Sequence, residues 1–438
     1  MTFKNKKTIL SILLFWIGIS IGFSENKKMY SIEELFQIAE NNNSNIKLSE
    51  LCVKESEENI KVANNAWLPT INLDASVSYL GNIYLMDRKF QNGQRFTMPH
   101  FGNNFAIEAT QLIYAGGVIN ATNLAKLNQK ESIVSKEETQ QNIRFMIVSN
   151  YLELFRLRNQ IEVLKKNIEQ TNQLLTNIRA KEKEGLVLKN DITRHELRLQ
   201  ELKLDSLKSE NNATIINNQL AIALHLPPET RIEIDKNIIN NLPIATSENE
   251  WLQNATLHSI DLQKKKIAIE KSQEIESLSQ AEYIPSIVAF IGNKLDGPIT
   301  VEIPTIDKNI NYWYAGIGIK WEISSFYKST RKHNQAKWQT KQAKEAYNLQ
   351  EENLTTKIHS AYIQFTESFQ LYDTQKKSLE LALQNYHIIN HRYLNDLAII
   401  TEFLDATTAK LNAEIQVVNA QINILFRYYY LKKIAGTI

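Results

Sequence analysis

The chain has 438 residues, a formal net charge of +2 and 22% charged residues. A nearly neutral chain without a basic cluster is a poor binder of nucleic acid, and its single cysteine, Cys52, excludes an intrachain disulfide. Stability must therefore come from packing and assembly. We expect Cys52 to be a half-buried residue of a helix.

Residues 1–24 have the pattern of a cleaved secretory signal peptide. An apolar stretch, residues 9–23, follows three lysines and ends beside Gly22 and Ser24, which are small residues of the kind that signal peptidase accepts. The stretch has about 15 residues, short of the roughly 20 that a spanning helix needs, so a membrane anchor is the weaker interpretation. Removal of the three lysines lowers the formal charge from +2 to about −1.

The chain contains an internal duplication. Residues 67–71, WLPTI, reappear 216 positions later as residues 283–287, YIPSI, and each copy lies between a helical pattern and an alternating one. The sequence therefore predicts two repeats, residues 25–240 and residues 241–438, which together form one continuous body.

Glycine and proline disfavour helix interiors by about 1 and 3 kcal/mol, and two long stretches nearly lack them. The first, from Gly117 to Pro227, contains only Gly185 between its ends; the second, residues 318–436, contains neither residue type between its ends. Each stretch predicts a helical hairpin, which turns at Gly185 or at the aligned Asp396. The legs have about 67 and about 40 residues, or roughly 100 Å and 60 Å.

Two more helices are predicted over residues 31–66 and 248–282, where the apolar spacing is helical. If one of these helices stacks end to end on a short hairpin leg, the two together have about the length of a long leg. The last helix of the second hairpin carries an apolar heptad stripe suited to coiled-coil packing. The stripe consists of Leu404, Leu411, Ile415, Val418, Ile422 and Leu425.

Four segments of about 10 residues break the helical period and predict strands of a length that crosses a bilayer when tilted. These segments are residues 71–79, 105–113, 285–293 and 313–321. Three of them alternate with the period of a strand, and the fourth, residues 285–293, is apolar on both faces. We expect them to pair as two hairpins, joined by polar loops at residues 81–103 and 293–311. The polar strand face, with Asn72, Asp74 and Glu108, is typical of a wet lumen.

Four strands cannot close a barrel, because the smallest single-chain membrane barrels have eight. An open sheet edge in lipid would leave backbone groups without partners. If these strands span a membrane, several copies of the chain must therefore share one barrel.

Two segments carry a resemblance to a known family. Residues 393–408, YLNDLAIITEFLDATT, are similar to the helix-turn-helix tip and acidic helix in the second repeat of the TolC-like outer-membrane efflux proteins of Gram-negative bacteria. Residues 111–117, QLIYAGG, resemble the strand-to-helix junction of that family, where Gly116 and Gly117 turn the chain from barrel into tunnel. The resemblance covers nearly all of the mature chain.

The resemblance implies a mainly α fold with a small β part: long antiparallel α-helical hairpins, and four strands per chain in a shared transmembrane β-barrel. It implies a homotrimer in the cell outer membrane, with a long periplasmic extension and an equatorial band formed by residues 226–250 and the extreme C-terminus. The partners it implies are outer-membrane lipid, a periplasmic adaptor (membrane fusion) protein and an inner-membrane pump of the RND or ABC type. It implies no cofactor, no metal and no nucleic acid.

The resemblance also suggests a pore gate. Glu402 and Asp405 are three residues apart and so share one helix face. In the family such carboxylates face the narrow periplasmic end of the pore, where three copies would form acidic rings that favour cations. The alternative is that they only complement the helix dipole. Tyr393 matches a tyrosine that is involved in holding the tip closed in that family. The family has a basic residue a few positions later, where this chain has Ala398.

The hairpin tips are the natural contacts for an adaptor. Gly185 and Leu186 mark the first tip, and Asp396 and Leu397 mark the second. The alternative for Gly185 is a simple turn residue, because glycine tolerates positive φ.

Other residues have plainer interpretations. His387 and His391 are four apart and could share a metal, but a solvated helix pair is favoured because no third ligand lies nearby. Trp313 and Trp321 fit an aromatic girdle at the membrane surface or burial against the helices.

We therefore predict an outer-membrane exit duct of a tripartite efflux system that conducts solutes passively. The chain has no phosphate-binding loop, zinc helix or nucleophile elbow, so we do not expect an enzyme. One alternative is the outer-membrane duct of a type I protein secretion system. A remote alternative is a soluble periplasmic coiled-coil scaffold.

Overall fold

The computed structural model describes residues 29–185, 187–227 and 229–438. The predicted signal peptide, residues 1–24, and the tip residue Leu186 lie outside the described residues. The helices of the described ranges are α1 (Ile32–Asn42), α2 (Ser44–Asn64), α3 (Gly116–Lys183), α4 (Lys189–Ala223), α5 (Glu248–His258), α6 (Ile260–Ala281), α7 (Ser325–Leu394) and α8 (Ile400–Ile434).

Four of the strands in the described ranges, β2, β5, β7 and β8, lie where the sequence predicts them. They are β1 (Met29–Tyr30), β2 (Thr70–Tyr79), β3 (Ile83–Leu85), β4 (Gln94–Phe96), β5 (Phe101–Tyr114), β6 (Glu233–Ile234), β7 (Ser286–Gly297) and β8 (Ile310–Lys320). Strands β2, β5, β7 and β8 form one four-stranded sheet, in that order. All three neighbouring pairs are antiparallel, so the prediction of two strand hairpins is confirmed.

The two long helical hairpins are also confirmed. Helix α3 has 68 residues and α4 has 35, while α7 has 70 and α8 has 35. At 1.5 Å per residue the long legs are roughly 100 Å. Within the described residues, none of the helices combines the length and the apolar character that crossing a bilayer requires.

The two shorter helical regions are each broken once, which the prediction of unbroken helices over residues 31–66 and 248–282 missed. Asn43 separates α1 from α2, and its side chain accepts hydrogen bonds from the backbone N–H groups of Asn45 and Ile46 at 2.9 and 3.3 Å. Ser259 separates α5 from α6 in the same way, accepting from Leu262 N–H at 3.4 Å. Both N-caps are buried and lie 216 residues apart, the offset of the duplication.

The loop predicted at residues 81–103 is not entirely loop. Strands β3 and β4 pair as a short antiparallel hairpin inside it, and β5 already begins at Phe101. Another difference concerns Cys52, which lies in a helix as predicted but is exposed rather than half-buried.

The sheet has one apolar face that is open to its surroundings. The pairing register aligns Ile71, Ala109, Ile291 and Ala315 in one row across the four strands. Large apolar side chains on this face are exposed, for example Leu73 and Ile317, each at 73%. An exposed apolar surface of this extent needs a covering of lipid or protein.

The other face of the sheet is polar and internally braced. The adjacent row aligns Asn72, Glu108, Gly292 and Tyr314. The Tyr314 side chain passes over Gly292 and its hydroxyl donates a hydrogen bond to Glu108 at 2.5 Å. The missing side chain at Gly292 is what makes room for this link across β7.

The described chain forms two compact units, and each unit contains segments of both repeats. The first comprises the described part of Met1–Ala39, Ile147–Leu242 and Ser378–Ile422; the second comprises Glu40–Met146, Pro243–Lys377 and Asn423–Ile438. The second unit contains the four-stranded sheet.

The first unit contains both hairpin turns and part of the predicted equatorial band. Leu164 of α3, Leu202 of α4 and Leu411 of α8 form one of its apolar clusters. Tyr151 is fully buried, and its hydroxyl donates to the Tyr30 carbonyl at 2.9 Å and accepts from Asp235 N–H at 2.8 Å. These bonds attach β1 and the segment after β6 to α3.

The predicted apolar stripe of α8 is confirmed in part. Its buried members are Leu411, Ile422 and Leu425, whereas Leu404, Ile415 and Val418 are half-buried. Other residues of α8 are also buried at heptad spacing, namely Phe403, Ala406, Lys410, Ala413 and Ala420. The small alanines that allow close helix approach were overlooked in favour of the larger leucines.

We expect Gly292→Ala to destabilise the protein, because an added Cβ would lie 2.6 Å from the Tyr314 ring and hydroxyl. The matched control is Gly318→Ala on the neighbouring strand, where the nearest atom is 3.5 Å away. Thermal denaturation of the purified protein in detergent should show a midpoint lowered by roughly 2–4 °C for Gly292→Ala alone. Equal midpoints for the two variants would contradict the bracing role.

Candidate functional site

The two hairpin turns adopt the same backbone conformation at aligned positions. Gly185 has φ +76° and Asp396 has φ +58°, both in the left-handed region. In the second turn the Leu397 N–H bonds to the Arg392 carbonyl at 2.8 Å and the Asp396 N–H bonds to the Tyr393 carbonyl at 3.1 Å. These are the bonds of a Schellman C-cap, which ends α7 at Leu394.

Three apolar side chains stand exposed at the turns. Leu188 precedes α4, and Leu397 and Ile399 precede α8; Leu397 is 68% exposed. Leu188 and Ile399 occupy equivalent positions when Gly185 is aligned with Asp396. We refer to Leu188, Leu397 and Ile399 as the tip surface.

The turns are linked to each other by charge. Lys181, near the end of α3, contacts the Asp396 carboxylate at 3.1 Å, and Arg392 donates to the Leu397 carbonyl at 3.0 Å. Asp396 therefore contributes twice: its backbone adopts the turn conformation, and its carboxylate links the two hairpins. A surface ion pair of this kind contributes little stability by itself.

The predicted acidic pair lies at the start of α8. Glu402 is in the first turn and Asp405 follows three residues later; both are exposed. The aligned positions of the first hairpin are Asp191 and Arg194, so only the second hairpin carries two carboxylates.

Tyr393 has a partner that the sequence interpretation missed. Its ring stacks on Phe403 with the centroids 4.7 Å apart and the planes at 19°, and its hydroxyl lies 3.2 Å from Nε2 of His195 on α4. The hydrogen bond of this tyrosine is therefore made by a histidine of the first hairpin. Ala398 stands where the resemblance led us to expect a basic residue.

His195 could have been found from its spacing. It starts the buried stripe of α4, which consists of His195, Leu199, Leu202, Ser206 and Ser209 at intervals of 4, 3, 4 and 3 residues. A histidine at a core position of a heptad needs a polar partner. The sequence does not reveal that the partner is 198 residues away.

Burial is the main cause of the pKa shifts of His195 and Tyr393. Burial lowers the pKa of His195, and the charge of Asp191 one turn earlier opposes this shift. Burial, together with Asp191 and Asp396, raises the pKa of Tyr393 to about 12. At neutral pH the imidazole is therefore neutral and the phenol keeps its proton.

The predicted strand-to-helix junction lies at the first residues of α3. A Cβ at Gly116 would lie 3.1 Å from the Cβ of Ala281 at the end of α6, and one at Gly117 would lie 3.6 Å from Leu278. The preceding Gln111 side chain donates to the Trp67 carbonyl at 2.5 Å. Glycine thus allows α3 to start close against α6.

The remaining candidates lie apart from the tips or at the surface. His387 and His391 are exposed on α7, and no cluster of three metal-binding side chains is present in the described ranges. Trp313 is exposed on the apolar sheet face, whereas Trp321 packs edge-on against Phe326 and donates to the Tyr283 carbonyl at 3.2 Å.

Comparison with known families accounts for this architecture. The sequence profile of the family described as outer membrane efflux protein matches residues 35–224 and 251–437. The chain belongs to the outer membrane efflux protein family. The two matched segments correspond to the two halves of the duplication.

Known relatives share the whole architecture at low identity. The outer membrane protein TolC of Escherichia coli (strain K12) is 20% identical over 456 residues, which cover 99% of this chain and 87% of TolC. The crystal structure of the outer membrane protein VceC from Vibrio cholerae superposes with a TM-score of 0.74 at 15% identity, covering 92% of this chain and 96% of VceC. The outer membrane channel CmeC of Campylobacter jejuni gives 0.73 at 16% identity, covering 93% and 85%.

Family membership establishes the broad function. The protein is an outer-membrane efflux protein that serves as an exit duct, and the family is a channel family rather than an enzyme family. The protein is located in the outer membrane.

Proposed function

We propose that three copies of this chain close one membrane barrel of twelve strands and conduct solutes passively from periplasm to exterior. The observation that carries the proposal is the four-stranded sheet, which ends in two open edges, β2 and β8, and exposes one apolar face. In lipid the backbone groups of both edges require partners, and β2 of one copy can supply them to β8 of the next. Three copies give more than the eight strands of the smallest membrane barrels.

The interior of the proposed barrel is polar. Asn72, Asp74 and Glu108 lie on the face opposite the exposed apolar side chains. Alternate residues of a strand point to opposite faces, so one alternating sequence supplies apolar side chains to the lipid and polar side chains to the lumen. A lumen of this kind suits polar solutes and gives little discrimination between them.

The proposed partners are a periplasmic adaptor protein and an inner-membrane pump of the RND or ABC type. The tip surface supports adaptor binding, because Leu188, Leu397 and Ile399 are apolar and exposed at the hairpin turns. Leu186 belongs to the same proposed contact by its position in the chain. The pump supplies the energy and most of the substrate choice. Membership of the efflux family favours an efflux duct over a type I protein secretion duct and over a soluble scaffold.

Glu402 and Asp405 are the proposed acidic gate. Their exposure at the start of α8 leaves both carboxylates available to a pore, and three copies would give two rings of like charge. Tyr393 is the proposed gate-associated residue, since it holds the end of α7 beside α8. Gly116 and Gly117 are the proposed junction between barrel and tunnel.

We expect neutralising the acidic pair to weaken cation preference. Glu402→Ala combined with Asp405→Ala should lower the cation-to-anion permeability ratio in planar bilayers and reduce block by multivalent cations, because the proposed rings lose their charge. The matched control is Glu351→Ala with Glu352→Ala, which removes two exposed carboxylates from α7. Unchanged selectivity in the first variant, or an equal loss in the control, would argue against a gate at these residues.

We expect a charge on the tip surface to stop export. Leu397→Glu should abolish efflux in cells at normal oligomer yield, because a carboxylate in an apolar contact loses its hydration without gaining a partner. Val301→Glu is the control, since Val301 is 92% exposed and lies after β7, away from the turns in sequence. Export at the normal rate by Leu397→Glu would remove this residue from the adaptor contact.

A further inference from the structure

We propose that His195 is a positioning residue that fastens the end of α7 to the first hairpin, and that the two hairpin tips separate more easily when its imidazole takes up a proton. The inference deepens the proposed channel function and rests on it. It concerns a residue outside the acidic pair, on the hairpin that lacks the second carboxylate.

The geometry makes His195 the joint between the hairpins. The side chain is 1% exposed, although α4 is a helix with many solvated residues. Its ring centroid lies 6.1 Å from that of Tyr393 and 5.9 Å from that of Phe403. One imidazole therefore contacts the last turn of α7 and the first turn of α8 at once, so separation of the tips must expose it to water.

The direction of the hydrogen bond depends on the protonation state of the imidazole. Tyr393, with its pKa near 12, keeps its proton and can donate it to Nε2 at 3.2 Å. Nε2 accepts that bond only when the imidazole is neutral with its proton on Nδ1. A proton on Nε2 would reverse the bond, so that Nε2–H donates to the Tyr393 oxygen, and would place a positive charge on an imidazole that is buried from water.

The surrounding charges do not compensate for that proton. On α4, Asp191 favours the protonated form, but burial outweighs it. Glu196 pairs with Arg179 of α3 at 2.6 Å, and Lys181 of α3 pairs with Asp396 of the second turn.

The other two packed elements offer no buried counter-charge in contact with the imidazole. Helix α7 presents the Tyr393 hydroxyl, and Arg392 on the same turn donates to a backbone carbonyl. Helix α8 presents the uncharged ring of Phe403, while Glu402 and Asp405 are exposed.

The direction of the pH effect follows from this balance. Burial lowers the pKa of His195 in the joined state below the ordinary value of 6.5. A separated tip exposes the side chain and restores the ordinary pKa, so the separated state binds more protons as the pH falls past that value. The joined state is therefore fully favoured above about pH 6.5 and loses stability as the pH drops below it.

The second repeat has no histidine equivalent to His195. When Gly185 is aligned with Asp396, the position of His195 corresponds to Ala406, which is also buried but carries no polar group. The titratable group of the joint is thus supplied by the first hairpin alone.

The test measures the closed-to-open equilibrium of the full-length channel in planar bilayers at about pH 7.5 and about pH 5.5. Wild type should open roughly 2- to 10-fold more often at the lower pH, because opening removes the cost of a charge on one buried imidazole. His195→Gln, which keeps an acceptor but cannot titrate, should stay closed at both pH values. His195→Phe should open more often than wild type at the higher pH, with little further change on acidification. Tyr393→Phe should also open more often at the higher pH, but it should keep an acid response because His195 still titrates.

His391→Gln is the matched control, because His391 is an exposed histidine in the last turn of α7. It should respond to pH as wild type does. The inference is overturned if His195→Gln keeps the acid response, or if wild type shows none. It is also overturned if both phenylalanine variants match wild type at the higher pH. A wild-type protein that conducts at neither pH would instead remove the proposed channel, and this inference with it.

Discussion

The structure depends on the backbone groups at the two free edges of a four-stranded sheet. Strands β2 and β8 each leave one row of N–H and C=O groups without a partner strand in the described chain, while the sheet exposes an apolar face. Water could satisfy the edges but not the face, and lipid could cover the face but not the edges. Closure with further copies satisfies both demands.

The duplication supplies two similar hairpins, which differ in the polar residues near their turns. The second hairpin has Glu402 and Asp405, whereas the first has Asp191 and Arg194 at the aligned positions. The first hairpin contributes His195, and the second contributes the Tyr393 hydroxyl that bonds to it. Each repeat alone would lack one of the two partners in this contact.

Much of the fold was predictable because helix breakers and strand periods act locally. The positions of Pro69 and Pro285, each just before a strand, and the scarcity of glycine in the hairpins predicted the long elements correctly. The breaks at Asn43 and Ser259 were missed because apolar spacing continues across them and only the caps interrupt the helix.

The candidate site was less predictable, since it depends on contacts between distant segments. The turn conformations at Gly185 and Asp396 follow from local sequence. The bond from Tyr393 to His195 does not, because the spacing of each helix indicates which residues are buried but not which helix they meet. The resemblance directed attention to a basic residue near Ala398, while the polar partner came from the other hairpin.

Cysteine cross-linking of the sheet edges tests the central claim most directly. In a Cys52→Ser background, one cysteine in β2 and one in β8 would be scanned over alternative registers in native membranes. Closure by neighbouring copies predicts covalent dimers and trimers, formed only by pairs whose side chains point to the same sheet face. A product that stops at the monomer for every register, or a ladder that extends beyond three chains, would contradict the shared barrel.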